Sequence, residues 1–273
     1  MNKQELLIRS LTGVCLVALT LGAIIYSPYT FLALLTIIGF IGTKEYFTLD
    51  LVAPRNSLIY FIALLFSLII LVAGIFLIRE QNPVVLIILL PFLISAIVLL
   101  QLLVINSPEE IVRKGKTIYS AASYIILPLM CGTIFLMGSY SYRYVLIPVI
   151  LIWVNDVGAY MFGSALGTKK IKPLISPGKS LQGTLGGFFI TLLAAFILWR
   201  LWPDIEVGYL TTLAFAIPIV SLSGDLWESA LKRNAGVKDS GNILPGHGGI
   251  LDRYDSLLFV LPFAALAYFI FVL

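Results

Sequence analysis

Apolar residues run on without alternation in nine separate stretches of this chain, at roughly 10–27, 29–47, 57–78, 84–105, 117–138, 143–166, 183–202, 208–226 and 257–273. A helix rising 1.5 Å per residue needs about 20 such residues to cross the hydrocarbon core of a bilayer. Strands of a membrane barrel would alternate apolar with polar positions. The continuous runs therefore predict an all-α, polytopic integral membrane protein with about nine transmembrane helices. The first run follows a short basic leader, as a secretory signal would, but no small-residue cleavage site comes after it and eight more spans do. It is read as a retained helix.

Composition agrees: 60% hydrophobic and 12% charged residues exclude an ordinary soluble domain. The net charge of +4 says little by itself about partners, and no nucleic acid is expected; the placement of the charges says more. The N-terminus and the segments after spans 2, 4, 6 and 8 hold 15 of the 18 lysines and arginines, leaving only Arg79, Arg143 and Arg200 for the other side. Because basic residues concentrate in cytoplasmic segments, the N-terminus is expected in the cytoplasm, the C-terminus outside, and the polar loops 167–182 and 227–256 in the cytoplasm. Cys15 and Cys131 fall inside apolar spans at no metal-like spacing and read as small packed hydrophobes.

Ionisable residues divide the chain. Spans 1 to 5 have almost none away from their ends, with Lys44 and Glu45 placed at the membrane interface, whereas spans 6 to 9 carry Asp156 and Asp225. Residues 1–142 are expected to be scaffold and residues 143–273 to carry the chemistry.

Asp156 stands midway along span 6, where a charge costs a few kcal/mol and usually faces a polar cavity or partner. Nearby Gly158, Ala159 and Gly163 would let another helix approach closely, which suits a structural or a functional aspartate. If the helix of span 8 continues, Asp225, Ser229, Lys232 and Arg233 share one face at i, i+4, i+7 and i+8. Such a stripe suits a metal-bound phosphate, or simply a helix end with an internal ion pair. Asp252 and Asp255 lie at i, i+3 just ahead of span 9; helix capping explains one of them, while hard oxygen ligands at this spacing suit Mg²⁺. His247 sits in Pro245-Gly246-His247-Gly248-Gly249, where glycines bring backbone amides to a ligand. With no second histidine and no paired cysteines, the pattern does not support a zinc site. In the earlier loop, Gly178-Lys179-Ser180 lacks the preceding glycine of a phosphate-binding P-loop, Pro173 standing there instead, and no strand is expected before it. What is left is a flexible basic loop with Lys169, Lys170, Lys172 and Lys179, suited to a lipid headgroup or a nucleotide, ahead of Gly183, Gly186 and Gly187.

At these residues the sequence resembles the phosphatidate cytidylyltransferase family (CDP-diacylglycerol synthases). That family's signature of Ser, Lys-Arg, Lys-Asp, His-Gly-Gly, Asp-Arg and Asp is matched at its spacing by Ser229, Lys232, Arg233, Lys238, Asp239, His247, Gly248, Gly249, Asp252, Arg253 and Asp255. Gly224-Asp225, Asn155-Asp156 with Ala159-Tyr160, and Ser176-Pro177 with Lys179 add to the match. One departure lies at 176–183: the family usually has two lysines and a Thr-Trp-Glu-Gly run after its Ser-Pro, and here Gly178, Ser180, Leu181 and Gln182 replace most of that, so Lys179 alone carries over.

The resemblance implies transfer of a cytidylyl group from CTP to phosphatidic acid, giving CDP-diacylglycerol and pyrophosphate for phospholipid biosynthesis, with Mg²⁺, at the cytoplasmic face of the cell (inner) membrane. On that reading Asp225 and Asp252 ligate the metal, and Asp255 or Asp156 completes or supports the site. Lys232, Arg233, Lys238 and Arg253 hold phosphates, Lys179, Ser229 and Asp239 line the substrates, and His247 with Gly248 and Gly249 shapes the nucleotide loop. The expected partners are CTP, phosphatidic acid and the bilayer; a second, monovalent cation such as K⁺ and a homodimer are left open. Three rivals are weaker. A transporter would show matching broken helices in both halves, a CTP-using lipid kinase would release CDP rather than pyrophosphate, and the Asp-x-x-Asp-Gly-x-x-Ala-Arg pattern of CDP-alcohol phosphotransferases is missing after Asp252 and Asp255.

Overall fold

A computed structural model of the chain describes residues 3–49, 57–81 and 117–273. Among them are eight helices long and apolar enough to cross a membrane. These are α1 (Lys3–Tyr26), α2 (Pro28–Leu49), α3 (Ser57–Glu80), α4 (Thr117–Leu136), α5 (Tyr142–Leu166), α6 (Leu181–Leu201), α7 (Val207–Asn234) and α8 (Leu251–Phe271). The protein is an all-α polytopic membrane protein. The span expected at 84–105 lies outside the described residues, as do Arg55, Arg113, Lys114 and Lys116 of the charge asymmetry.

The expected loop 227–256 is shorter at both ends than the sequence pattern suggested. Helix α7 continues past residue 226 to Asn234 because its last polar turns find partners along the helix itself, and it then stops in a Schellman turn. Gly236 takes a φ of +70°, and the Val237 and Gly236 amides return to the carbonyls of Lys232 (3.0 Å) and Arg233 (3.1 Å). Helix α8 begins at Leu251 rather than at 257, so Asp252 and Asp255 belong to its first turns. The basic segment after α5 is not a flexible loop either. It is a β-hairpin of β1 (Lys170–Lys172) and β2 (Ser176–Ser180), antiparallel, pairing Lys170 with Ser180 and Lys172 with Ser176.

The chain forms two compact units. One comprises residues 1–140 with 239–252, the other 141–238 with 253–273. In the first, the buried face of α2 (Phe31, Leu32, Leu35, Ile38) forms a core with Ile70 of α3 and Leu129 of α4. Helix α4 changes from a π turn (Ala122–Ile126) to a 3₁₀ turn (Thr133–Leu136) around Pro128, which has no N–H to continue the helical ladder.

In the second unit, glycines set the packing of α5 on α6. A Cβ on Gly187 would stand 2.7 Å from Asn155 Oδ1 and 2.8 Å from the Asn155 carbonyl, and one on Gly183 would stand 2.7 Å from the Ala159 carbonyl. The sequence left the role of these glycines open; the backbones touch because nothing projects between them. At one end of this unit Tyr144, Tyr209 and Tyr268 form a cluster with ring centroids 5.2–6.3 Å apart, and the Tyr209 hydroxyl donates to the Tyr144 carbonyl at 2.6 Å. Asp156, Asp225 and Asp255 lie 12, 16 and 13 residues along the same three helices from that cluster, about 20 Å at 1.5 Å per residue.

Replacing Gly187 with leucine should force α5 and α6 apart and lower stability by about 1–3 kcal/mol. Gly178→Ala, whose Cβ would meet nothing within 4 Å, should be silent. Thermal unfolding of the two variants in detergent checks the pair.

Candidate functional site

In the second unit the hairpin folds β2 back so that the Lys179 ammonium forms an ion pair with the Asp225 carboxylate of α7. Local contacts explain why β2 stops there. Ser180 caps α6, accepting the Gly183 amide at 3.2 Å, while Gln182 accepts the Lys169 amide at 3.2 Å and donates to Thr168 at 2.7 Å. Gln182, which departs from the family pattern, thus ties the hairpin to the end of α5. Ser229, one turn beyond Asp225, donates to its Oδ1 at 3.3 Å.

Asp156 and Asp255 come to the same place from α5 and α8: each interacts electrostatically with both Asp225 and Lys179. Asp156 accepts from Asn155 Nδ2 at 3.4 Å, with Ser221 of α7 beside it, and Asp255 Oδ1 accepts the Ser256 amide at 2.7 Å. Gly224 makes the convergence possible, because a Cβ there would stand 2.7 Å from the Asp255 carbonyl. Carboxylates from three separate helices thus lie within electrostatic reach of one ammonium, which is ion-paired with Asp225.

Other signature residues of this unit serve differently. Lys232, on the Asp225 face of the continuing helix, is paired with Glu228, one turn earlier; the Glu228 side chain is 2% exposed and that of Lys232 is 12% exposed. Arg233 donates to the Val237 carbonyl at 3.2 Å and is exposed, as are Lys238 and Arg253.

The first unit holds the rest of the signature. Its loop closes on itself, with the Leu244 amide on the Gly248 carbonyl and the His247 amide on the Leu244 carbonyl, both at 2.9 Å. Gly248 has a φ of +82° and a Cβ there would stand 2.5 Å from Asp252 Oδ2, so only glycine fits. The His247 imidazole lies against α1, with Nε2 3.4 Å from where a Gly13 Cβ would be. Asp239 is exposed, its Cβ packed towards Gly248. Asp252 Oδ2 accepts the Gly249 amide (2.7 Å), the Ser240 amide (2.8 Å) and the Ser240 hydroxyl (2.9 Å).

Glu45 has a role the sequence did not suggest. It is 7% exposed, and its carboxylate accepts the Ile250 and Leu251 amides at 2.9 Å each and the Ser240 hydroxyl at 3.2 Å. Neither Glu45 nor Glu228 was a candidate from sequence. A lone glutamate inside an apolar helix was the available signal for Glu45, and its i, i+4 spacing to Lys232 was the one for Glu228.

Among the described residues no group of three or more His, Cys, Asp or Glu forms a ready protein cage for a metal ion. The donors present are carboxylate oxygens around a cation, which fits a hard ion such as Mg²⁺. That ion uses one or two carboxylates and takes its other ligands from water and substrate phosphates.

The sequence profile of the cytidylyltransferase family matches residues 7–271. The chain is similar to the phosphatidate cytidylyltransferase of Bacillus subtilis (strain 168), 46% identical over 129 residues, which is 46% of this chain and 48% of that protein. It is similar also to that of Staphylococcus aureus (strain COL), 38% identical over 158 residues, or 56% of this chain and 61% of that protein. The corresponding protein of Staphylococcus epidermidis (strain ATCC 12228 / FDA PCI 1200) is 43% identical over 122 residues, 44% of this chain and 46% of that protein. The aligned stretch spans about half the length of the curated relatives it matches.

Removing the Lys232 ammonium from its buried partner tests that pair. Lys232→Met should destabilise the folded chain by about 3 kcal/mol, and the double variant Glu228→Leu/Lys232→Met should recover most of the loss. Unfolding midpoints of the two singles and the double give the coupling energy.

Proposed function

Because this chain belongs to the cytidylyltransferase family, we propose that it transfers the cytidylyl group of CTP to phosphatidic acid, releasing pyrophosphate and forming CDP-diacylglycerol. The observation that carries the reading is the convergence of Asp156, Asp225 and Asp255 on Lys179 at one end of the membrane helices. In this reaction a phosphatidate oxygen bonds to the α-phosphorus of CTP while the bond from that phosphorus to the pyrophosphate oxygen breaks. The nucleophile is already largely dianionic near neutral pH, its second pKa being about 6, so no protein base is required. The protein has to align the two phosphates and neutralise their charge.

Bound Mg²⁺ would supply electrostatic stabilisation of the triphosphate, and in the second unit Asp225 with Asp156 or Asp255 would hold it; Asp252 of the first unit is a separate candidate ligand, and K⁺ is a candidate second cation. Lys179 and Ser229 orient Asp225. Lys232, Arg233, Lys238 and Arg253 hold phosphate oxygens, and Asp239, His247, Gly248 and Gly249 shape the nucleotide loop. Residues 143–273 carry the chemistry and residues 1–142 are its scaffold. The protein works in the bacterial inner membrane with this end of the helices in the cytoplasm, as a monomer or a homodimer. Two features support that orientation: the basic hairpin and the 15-to-3 division of positive charge.

Purified protein given labelled CTP, phosphatidate and Mg²⁺ should release pyrophosphate; release of CDP instead would point to a lipid kinase. Asp225→Asn should cut turnover at least about 100-fold while leaving the unfolding midpoint within a few degrees. Equal activity of that variant and the parent would remove Asp225 from the mechanism. A cysteine placed at Lys170 should react with an impermeant maleimide in inverted membrane vesicles and not in intact cells.

A further inference from the structure

Glu45 has no part in the chemistry proposed above, although its carboxylate is among the most heavily engaged in the first unit. Resting on that reading, we infer that Glu45 is a positioning residue for the nucleotide: it locks the loop 239–252 in place and, through Ser240, fixes the carboxylate of Asp252.

Three consecutive amides at the start of α8 are divided between two carboxylates. Gly249 donates to Asp252 at 2.7 Å, and Ile250 and Leu251 donate to Glu45 Oε1 and Oε2 at 2.9 Å. Ser240, from the other end of the loop, joins the two. Its hydroxyl lies 2.9 Å from Asp252 Oδ2 and 3.2 Å from Glu45 Oε2, and its amide donates to the same Asp252 oxygen at 2.8 Å. A hydroxyl has one proton, so the two carboxylates compete for it, and where Glu45 stands determines how Ser240 meets Asp252.

A helix cap alone does not call for this arrangement. A serine, threonine or aspartate at position 250 would accept the amides two and three residues further on, not those of Ile250 and Leu251, and would bury no charge in an apolar helix. Here Ile250 stands at that position, and the acceptor comes from a residue about 205 positions earlier in the chain. What the long-range acceptor adds is a fixed distance between α2 and both ends of the loop that carries His247, Gly248 and Asp252. The loop is thereby pre-formed rather than assembled on binding.

The variants separate clamp from cap. In Glu45→Gln the side-chain NH₂ must face one of the donors, so the loop loses an acceptor and gains a donor–donor clash. Ser240→Ala keeps both helix amides capped and removes only the bridge to Asp252. Hydrogen exchange on the full-length, detergent-solubilised protein should show residues 239–252 exchanging about tenfold faster in Glu45→Gln, with α5 and α6 unchanged. The KM for CTP should rise about tenfold in Glu45→Gln and about threefold in Ser240→Ala, with the KM for phosphatidate within about twofold of the parent in both. Unchanged loop exchange in Glu45→Gln overturns the inference, and so does an activity loss confined to kcat with both KM values unmoved. A parent protein that makes no CDP-diacylglycerol, but whose loop loosens in Glu45→Gln, defeats the proposed reaction and leaves the clamp standing.

Discussion

A carboxylate inside or beside a membrane bundle cannot be left to water. Ionised groups carry a desolvation cost that only close partners offset, and the structure is arranged around meeting that requirement. Asp225 takes Lys179 and Ser229, Glu228 takes Lys232, and Glu45 takes two helix amides and a serine. Each partner fixes a piece of backbone. Lys179 reaches Asp225 only because the segment after α5 turns back as a hairpin, and α8 starts at Leu251 because Glu45 and Asp252 accept the amides there. The polar segments owe their shape to charges on the apolar ones.

Within the second unit, two apolar devices hold the helices still enough for this to matter. The glycine contacts of α5 with α6 leave little freedom for one backbone to slide on the other, since Gly187 meets the Asn155 backbone directly. The tyrosine cluster pins α5, α7 and α8 at the opposite end. With both restraints in place, the three aspartates about 20 Å away are placed by rigid rods rather than by loops. That is the condition a site needs if its work is alignment of phosphates rather than proton transfer.

How much of this was legible in the sequence follows from the range of each interaction. The helices were readable because length and apolarity are local properties, and eight of the nine expected spans match described helices. The gathering of Asp225 and Ser229 was readable because i, i+4 spacing on a helix is local too. The hairpin was not: Ser-Pro-Gly-Lys-Ser has little strand propensity, and its pairing with Lys170–Lys172 depends on where α5 ends and α6 begins. Glu45 was out of reach for the same reason, its partners lying about 195 to 206 positions away. Lys232 was placed on the Asp225 face by its i, i+7 spacing, and the helix does continue through both; the pairing with a buried glutamate at i−4 was not foreseen.

Charge balance links the carboxylate cluster to the kind of substrate it can accept. Asp225 is paired with Lys179, and Asp156 and Asp255 lie within electrostatic reach of both, so a bare triphosphate approaching this end of the helices meets carboxylate oxygens rather than a surplus of cations. Under the proposed reaction, a nucleotide arriving with a divalent cation would reverse the sign of that encounter, since the same oxygens could then serve as ligands. Lys179 is paired with Asp225 here, and under the proposed reaction it would be free to turn towards a phosphate if Asp225 served as a metal ligand. Under the proposed reaction, the ion pair seen here is the resting partner of a carboxylate whose working partner is the metal. Arg233, Lys238 and Arg253, all exposed, are the bases proposed for the phosphates themselves.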